Sequence, residues 1–168
     1  LRNAARFVSE AGAQAVKLEG PARKFRHAIE AILRAGIPIM GHIGFTPQSI
    51  HQIGGYKVQG REPDARARLK EEARGLEDAG VFALVLELVP ADLAEEISTM
   101  LTIPTIGIGA GAGCDGQVLV MHDMLGLGLH TKFVKVFANL HTIMDEAFRA
   151  YVREVKQGTF PAKEHEFQ

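Results

Sequence analysis

Four side chains have the types and positions that could bind a divalent cation and an anionic substrate and move a proton. In FALVLELVP, residues 82–90, an apolar run is interrupted only by Glu87 near its end. A carboxylate there is costly unless it is paired, ligated or used. In AVKLE, residues 15–19, alternation puts Lys17 and Glu19 on one face, just as Glu87 shares a face with Ala83 and Val85. His42 closes IPIMGHI, residues 37–43. A hard oxygen donor such as Glu19 suits Mg²⁺, which takes few protein carboxylates and keeps waters. A second carboxylate, Glu87, is then free to move a proton. The structural alternative makes Lys17 and Glu19 an ion pair and Glu87 a lone buried acid.

Other stretches carry weaker signals. MGHIGFTPQSIHQIGGYKVQGRE, 40–62, exceeds the roughly 2–6 residues usual after a strand in such units, so it is expected to lie over the strand ends. Within it, Thr46-Pro47-Gln48-Ser49 reads as a helix start with proline at its first position. Lys57 and Arg61 read as anion contacts or as solvated surface charges. GIGAGAGCDGQ, 107–117, has GxGxG spacing, a weak phosphate signal, and close backbone packing is the preferred reading. Cys114 has no partnering base by sequence, and His122 beside Asp123 is an oriented imidazole or a structural one. His27, His51, His130, His141 and His165 lack metal-type spacing and receive no role.

These side chains need strands to aim them, and the sequence supplies strands in alternation with helices. Candidate strands lie at 15–19, 37–43, 82–89 and 104–110, and amphipathic helices at 23–35, 64–79, 91–101 and about 138–157. The stretch 117–127 reads as a strand, a helix, or one leading into the other. Helix-to-strand repeats of this kind imply parallel strands with crossover helices. A doubly wound sheet and a (β/α)₈ barrel compete, and both place active sites at the carboxyl ends of their strands. Each strand has a large aliphatic face and a smaller or polar one; Thr105 and Gly107 belong to the small face of theirs. Small and charged residues together suggest a crowded barrel axis, so the barrel is favoured, with residues 1–168 a single domain.

With 168 residues, 46% of them hydrophobic, and a formal net charge of −1, the chain is an ordinary globular sequence with no polybasic stretch. No nucleic-acid or membrane partner is expected, no apolar run approaches the roughly 20 residues of a membrane span, and the one cysteine excludes an internal disulfide. A cytoplasmic protein is expected. The opening LRNAARFVSEAGA reads as a helix in progress, so the chain is expected to be the later part of something longer.

Taken in order, AVKLEG, GIPIMGHIGFTPQS with GGYKVQGR, LVLELVP, IPTIGIGAGAGCDGQVLVMHDMLGL, KFVK and the closing GTFP resemble the ketopantoate hydroxymethyltransferase family. The resemblance implies a (β/α)₈ TIM barrel whose N-terminal strands precede the given residues. It implies hydroxymethyl transfer from 5,10-methylenetetrahydrofolate to 3-methyl-2-oxobutanoate in pantothenate and coenzyme A synthesis, with Mg²⁺ on the oxo acid. It also implies Glu87 as the proton-transfer residue, Lys17 and His42 as substrate contacts, Glu19 as a metal ligand, and a large homo-oligomer, commonly a decamer. The remaining metal ligands would be aspartates on the earlier strands. One local departure stands out: another glycine and an acid are expected after VKLEG, where this chain has Gly20-Pro21-Ala22-Arg23. Three other readings stand beside this one: a truncated non-catalytic subunit, a Mg²⁺ barrel enzyme of the phosphoenolpyruvate mutase and isocitrate lyase type, and a nucleotide-binding module.

Overall fold

Short apolar runs between amphipathic helices have one economical arrangement, a parallel sheet with its helices laid across it. The computed structural model describes residues 1–128 and 131–167, apart from the side chains of Gln52 and Ile53; His130 lies outside them. Contacts divide the chain into two units, Leu1–Val118 and Leu119–Gln168.

In the first unit the order is α1 (Arg2–Ala11), β1 (Val16–Glu19), α2 (Ala22–Arg34), β2 (Ile39–Gly44), a 3₁₀ turn (Pro47–Ser49), α3 (Ile50–Ile53), α4 (Pro63–Asp78), β3 (Ala83–Glu87), α5 (Ala91–Met100), β4 (Thr105–Ile108) and β5 (Gly116–Gln117). All neighbouring strands pair in parallel and in the order β1-β2-β3-β4-β5. Ile29 and Ile32 of α2, Leu69 and Leu76 of α4, and Leu93 and Ile97 of α5 form one core with Ile39, Ile43, Leu84 and Leu86 of the sheet. The three helices thus cover the same sheet face. Sequential strands with helices on one side are the winding of the barrel class, whereas a doubly wound sheet reverses its strand order and covers both faces. The fold is α/β, as expected, with the chain winding in the barrel sense.

The opposite face carries Lys17, Glu19, His42, Val85 and Glu87, because residues two apart share a face and register partners lie side by side. On β4 the expectation is overturned. Leu84 faces Thr105 and Glu87 faces Ile108, so Ile106 and Ile108 join the face of Glu87 while Thr105 and Gly107 lie on the helix side. The cause is a polar tie on that side. Buried Thr105 donates its backbone N–H to Asp115 Oδ2 at 2.7 Å and its hydroxyl at 2.9 Å, and its Oγ1 lies 2.7 Å from Ser98 Oγ of α5. A threonine satisfied in this way can replace an aliphatic residue in the helix-packed layer.

The second unit contains α6 (Met121–Met124) and α7 (Leu140–Gln157). Asn139 Oδ1 accepts the Thr142 N–H at 3.3 Å and caps α7, which ends at Gly158 in the left-handed region. The ambiguous stretch therefore opens on the two-residue β5 and continues into a helix. No helix among the described residues is long and apolar enough to cross a membrane.

Candidate active site

β1, β2 and β3 end side by side, and their terminal residues build the site. Register sets Glu19 directly against His42 and sets Gly44, two residues on, against Glu87. His42 therefore lies between the two carboxylates. Its Nε2 is 3.1 Å from Glu87 Oε2 and its Nδ1 is 3.7 Å from Glu19 Oε1. The imidazole is 1% exposed, against 12% for the Glu19 side chain and 15% for that of Glu87. Although the first distance is that of a hydrogen bond, neither ring nitrogen has an aligned partner. A buried imidazole with both nitrogens unsatisfied calls for a further polar group.

The backbone locks these ends together. The Gly20 N–H donates to the His42 carbonyl at 2.8 Å, the Phe45 N–H to the Glu87 carbonyl at 2.8 Å, and the Leu88 N–H to the Ile108 carbonyl at 2.9 Å. Leu88, the residue after Glu87, has φ 49°, and no other non-glycine residue among those described has positive φ. A leucine holds that conformation only where its surroundings enforce it. Nothing in the sequence signals it.

The long segment after β2 does cross the strand ends. The Gln48 N–H donates to Glu19 Oε2 at 3.3 Å and the Gln59 N–H to the Leu88 carbonyl at 2.8 Å. Buried Phe45 stacks on Tyr56 with centroids 4.9 Å apart, fastening the returning limb. Pro47 opens the 3₁₀ turn, as the sequence implied. The contact of Gln48 with Glu19 is a backbone bond and so carries no side-chain signal in the sequence.

Of the four expected residues, the structure brings together Glu19, His42 and Glu87. Lys17 shares their face but is exposed, and its side chain makes no ion pair or hydrogen bond among the described residues. The Lys17–Glu19 ion pair is therefore not formed, and Glu87 is not a lone acid. No group of three or more His, Cys, Asp or Glu side chains arranged to hold a metal occurs among the described residues. Glu19 can supply one oxygen donor, which fits a Mg²⁺ ion that takes its other ligands from water and substrate. Chemically, the trio offers a partly accessible carboxylate base held beside an imidazole, with a second carboxylate on the far side.

Comparison with known proteins bears on what this trio does. A family model described as ketopantoate hydroxymethyltransferase matches residues 1–163. Proteins named 3-methyl-2-oxobutanoate hydroxymethyltransferase are similar over 99% of the chain. The one from Syntrophomonas wolfei subsp. wolfei is 54% identical over 169 residues, with 61% of its own length covered. The one from Clostridium novyi is 55% identical over 168 residues, also with 61% covered. The one from Syntrophus aciditrophicus is 54% identical over 169 residues, with 62% covered. The chain spans about three fifths of the length of these curated relatives.

Proposed function

The chain belongs to the ketopantoate hydroxymethyltransferase family, and from that membership we propose that the protein transfers a hydroxymethyl unit from 5,10-methylenetetrahydrofolate to 3-methyl-2-oxobutanoate. The product is 2-dehydropantoate, on the route to pantothenate and coenzyme A. The observation that carries this reading is the placing of Glu19, His42 and Glu87 at the ends of three adjacent strands.

Glu87 is the base. Its carboxylate is accessible enough to reach substrate, and it takes the methine proton at C3 of the oxo acid. The electron pair left behind delocalises into the neighbouring carbonyl, and the resulting enolate carbon attacks the one-carbon unit of the donor. Water then forms the C–O bond as the last carbon–nitrogen bond to the donor breaks, and tetrahydrofolate leaves with one proton from that water and the one that Glu87 took up. His42 lies between Glu87 and Glu19, with one ring nitrogen toward each, and its unsatisfied nitrogens meet the polar atoms of the oxo acid. Lys17, exposed on the same face, attracts the substrate carboxylate. Glu19 would hold Mg²⁺, which when bound would supply Lewis acidity toward the oxo acid. We read the protein as cytoplasmic and as a homo-oligomer, a decamer by family likeness, which sedimentation velocity can measure.

The test is proton–deuterium exchange at the methine of 3-methyl-2-oxobutanoate, followed by NMR in D₂O with and without Mg²⁺. It isolates enolisation and needs no folate. Metal-dependent exchange that falls on the order of 10²–10⁴-fold in Glu87→Gln supports the reading. Undiminished exchange in that variant would remove Glu87 as the base. Absence of exchange in the unaltered protein would favour a non-catalytic subunit of the same fold.

A further inference from the structure

A cleft of about 400 Å³ opens beside Glu19. It is bounded by Glu19 and Gly44 at the strand ends, by Arg23 and Lys24 on the first turn of α2, and by Arg68 and Glu72 of α4. Its charges are unevenly used. Glu72 is taken up by Arg23, Nη2 to Oε1 at 2.9 Å. Lys24 and Arg68 make no ion pair among the described residues. The first turn of α2 contains no acid and no side-chain cap, so Lys24, whose ammonium lies 5.2 Å from the Phe25 ring centroid, sits at the positive end of a helix with no carboxylate of that turn to offset it. The lining of the cleft therefore includes two cations without a carboxylate partner, Lys24 and Arg68, as well as Glu19 at the end of β1. Gly20, Pro21 and Arg23, from the segment where the sequence departs from the expected pattern, also line it.

A volume of this order lies in the range that holds larger organic ligands, beyond the needs of a five-carbon acid. We propose that the cleft binds the carboxylate-bearing glutamyl end of the one-carbon donor, with Arg68 and Lys24 meeting its carboxylates. Guanidinium and ammonium groups are the donors such an end requires. The transferable carbon then lies toward the Glu19 side of the cleft. This assignment rests on the transferase reading, and its test is chosen to separate the two.

Isothermal titration of the full chain is run with 5-formyltetrahydrofolate and with a pterin that lacks the glutamyl tail, on the unaltered protein and on the double variant Lys24→Ala/Arg68→Ala. Methine exchange of the oxo acid is measured on both proteins. The expected result is roughly tenfold weaker binding of the folate by the double variant, the scale of a lost charge-assisted contact. Binding of the tailless pterin and the exchange rate should stay unchanged, and Lys24→Arg/Arg68→Lys should restore much of the affinity. Equal folate affinity in both proteins overturns the assignment, as does an equal loss for folate and tailless pterin. Loss of exchange with folate affinity retained would instead place the two cations with the oxo acid and also overturn it. If the unaltered protein shows no exchange, the transferase reading fails separately. Folate binding that still depends on Arg68 and Lys24 would then leave the cleft as a glutamyl-carboxylate site.

Discussion

Gly44→Ala is the most informative single change, because one methyl group tests the geometry of the site and its coupling to Glu87. Gly44 closes β2 with φ 92°, and a Cβ built there meets the Glu87 carbonyl oxygen and lies 2.8 Å from Val89 Cγ2. The first obstacle is backbone and cannot rotate away. A side chain in the positive-φ region costs about 1–2 kcal/mol and overpacking about 1–3 kcal/mol, so the variant should lose about 2–5 kcal/mol. With a urea dependence of about 2 kcal/mol per molar, the unfolding midpoint falls by about 1–2.5 M. Gly36→Ala is the control, since Gly36 has φ 76° and nothing within 4 Å of its built Cβ. It should show the backbone cost alone, about 1–2 kcal/mol. The same displacement pushes on the Phe45 N–H to Glu87 carbonyl bond. A shift of Glu87 by about 1 Å is expected to slow methine exchange on the order of 10²-fold. Equal midpoints for the two variants, or full exchange in Gly44→Ala, would refute the close approach of β2 to β3 at this point.

Other changes probe the remaining parts. Glu19→Ala should raise the Mg²⁺ concentration needed for exchange, and an unchanged titration would count against its ligand role. Leu88→Ile puts a β-branched side chain at φ 49° and should slow exchange more than Leu88→Met, which keeps the volume and costs less than about 1.5 kcal/mol. Equal rates would mean that the Leu88 backbone does not position Glu87. Hydrogen bonds from the backbone N–H and hydroxyl of Thr102, at 2.6 and 2.8 Å, hold the Glu77 carboxyl below the usual range. Its stabilisation is therefore complete above its unfolded value, near 4.3, and is lost as pH falls through the lower folded value. The gap in urea midpoint between the unaltered protein and Glu77→Gln should be widest at neutral pH and close in acid; a gap independent of pH would contradict this.

Periodicity located the strands because each apolar run is bounded by glycine or proline, and the ends of β1, β2 and β3 fall within two residues of the expected spans. Glu19, His42 and Glu87 were visible as polar residues at the ends of such runs. The facing of β4 was not visible. Alternation says which residues share a face but not which face meets the helices, and Thr105 is admitted to the helix side only by Ser98 and Asp115, seven and ten residues away. The Gln48 contact with Glu19 and the backbone of Leu88 were hidden for a different reason. Both are main-chain features imposed by tertiary structure, and a leucine in the left-handed region or a donating amide leaves no mark in residue type.

The sequential strand order also bears on how the protein is made. Each strand of the sheet bonds to the one synthesised immediately before it, so pairing can advance behind the ribosome as each helix and strand emerge. The longest wait falls between β2 and β3, the interval that includes the loop crossing the strand ends. During it His42 already has Glu19 beside it but lacks Glu87. A one-residue slip when β3 finally docks would turn Glu87 to the helix side, which makes that single pairing event the step at which a nascent chain gains or forfeits its chemistry.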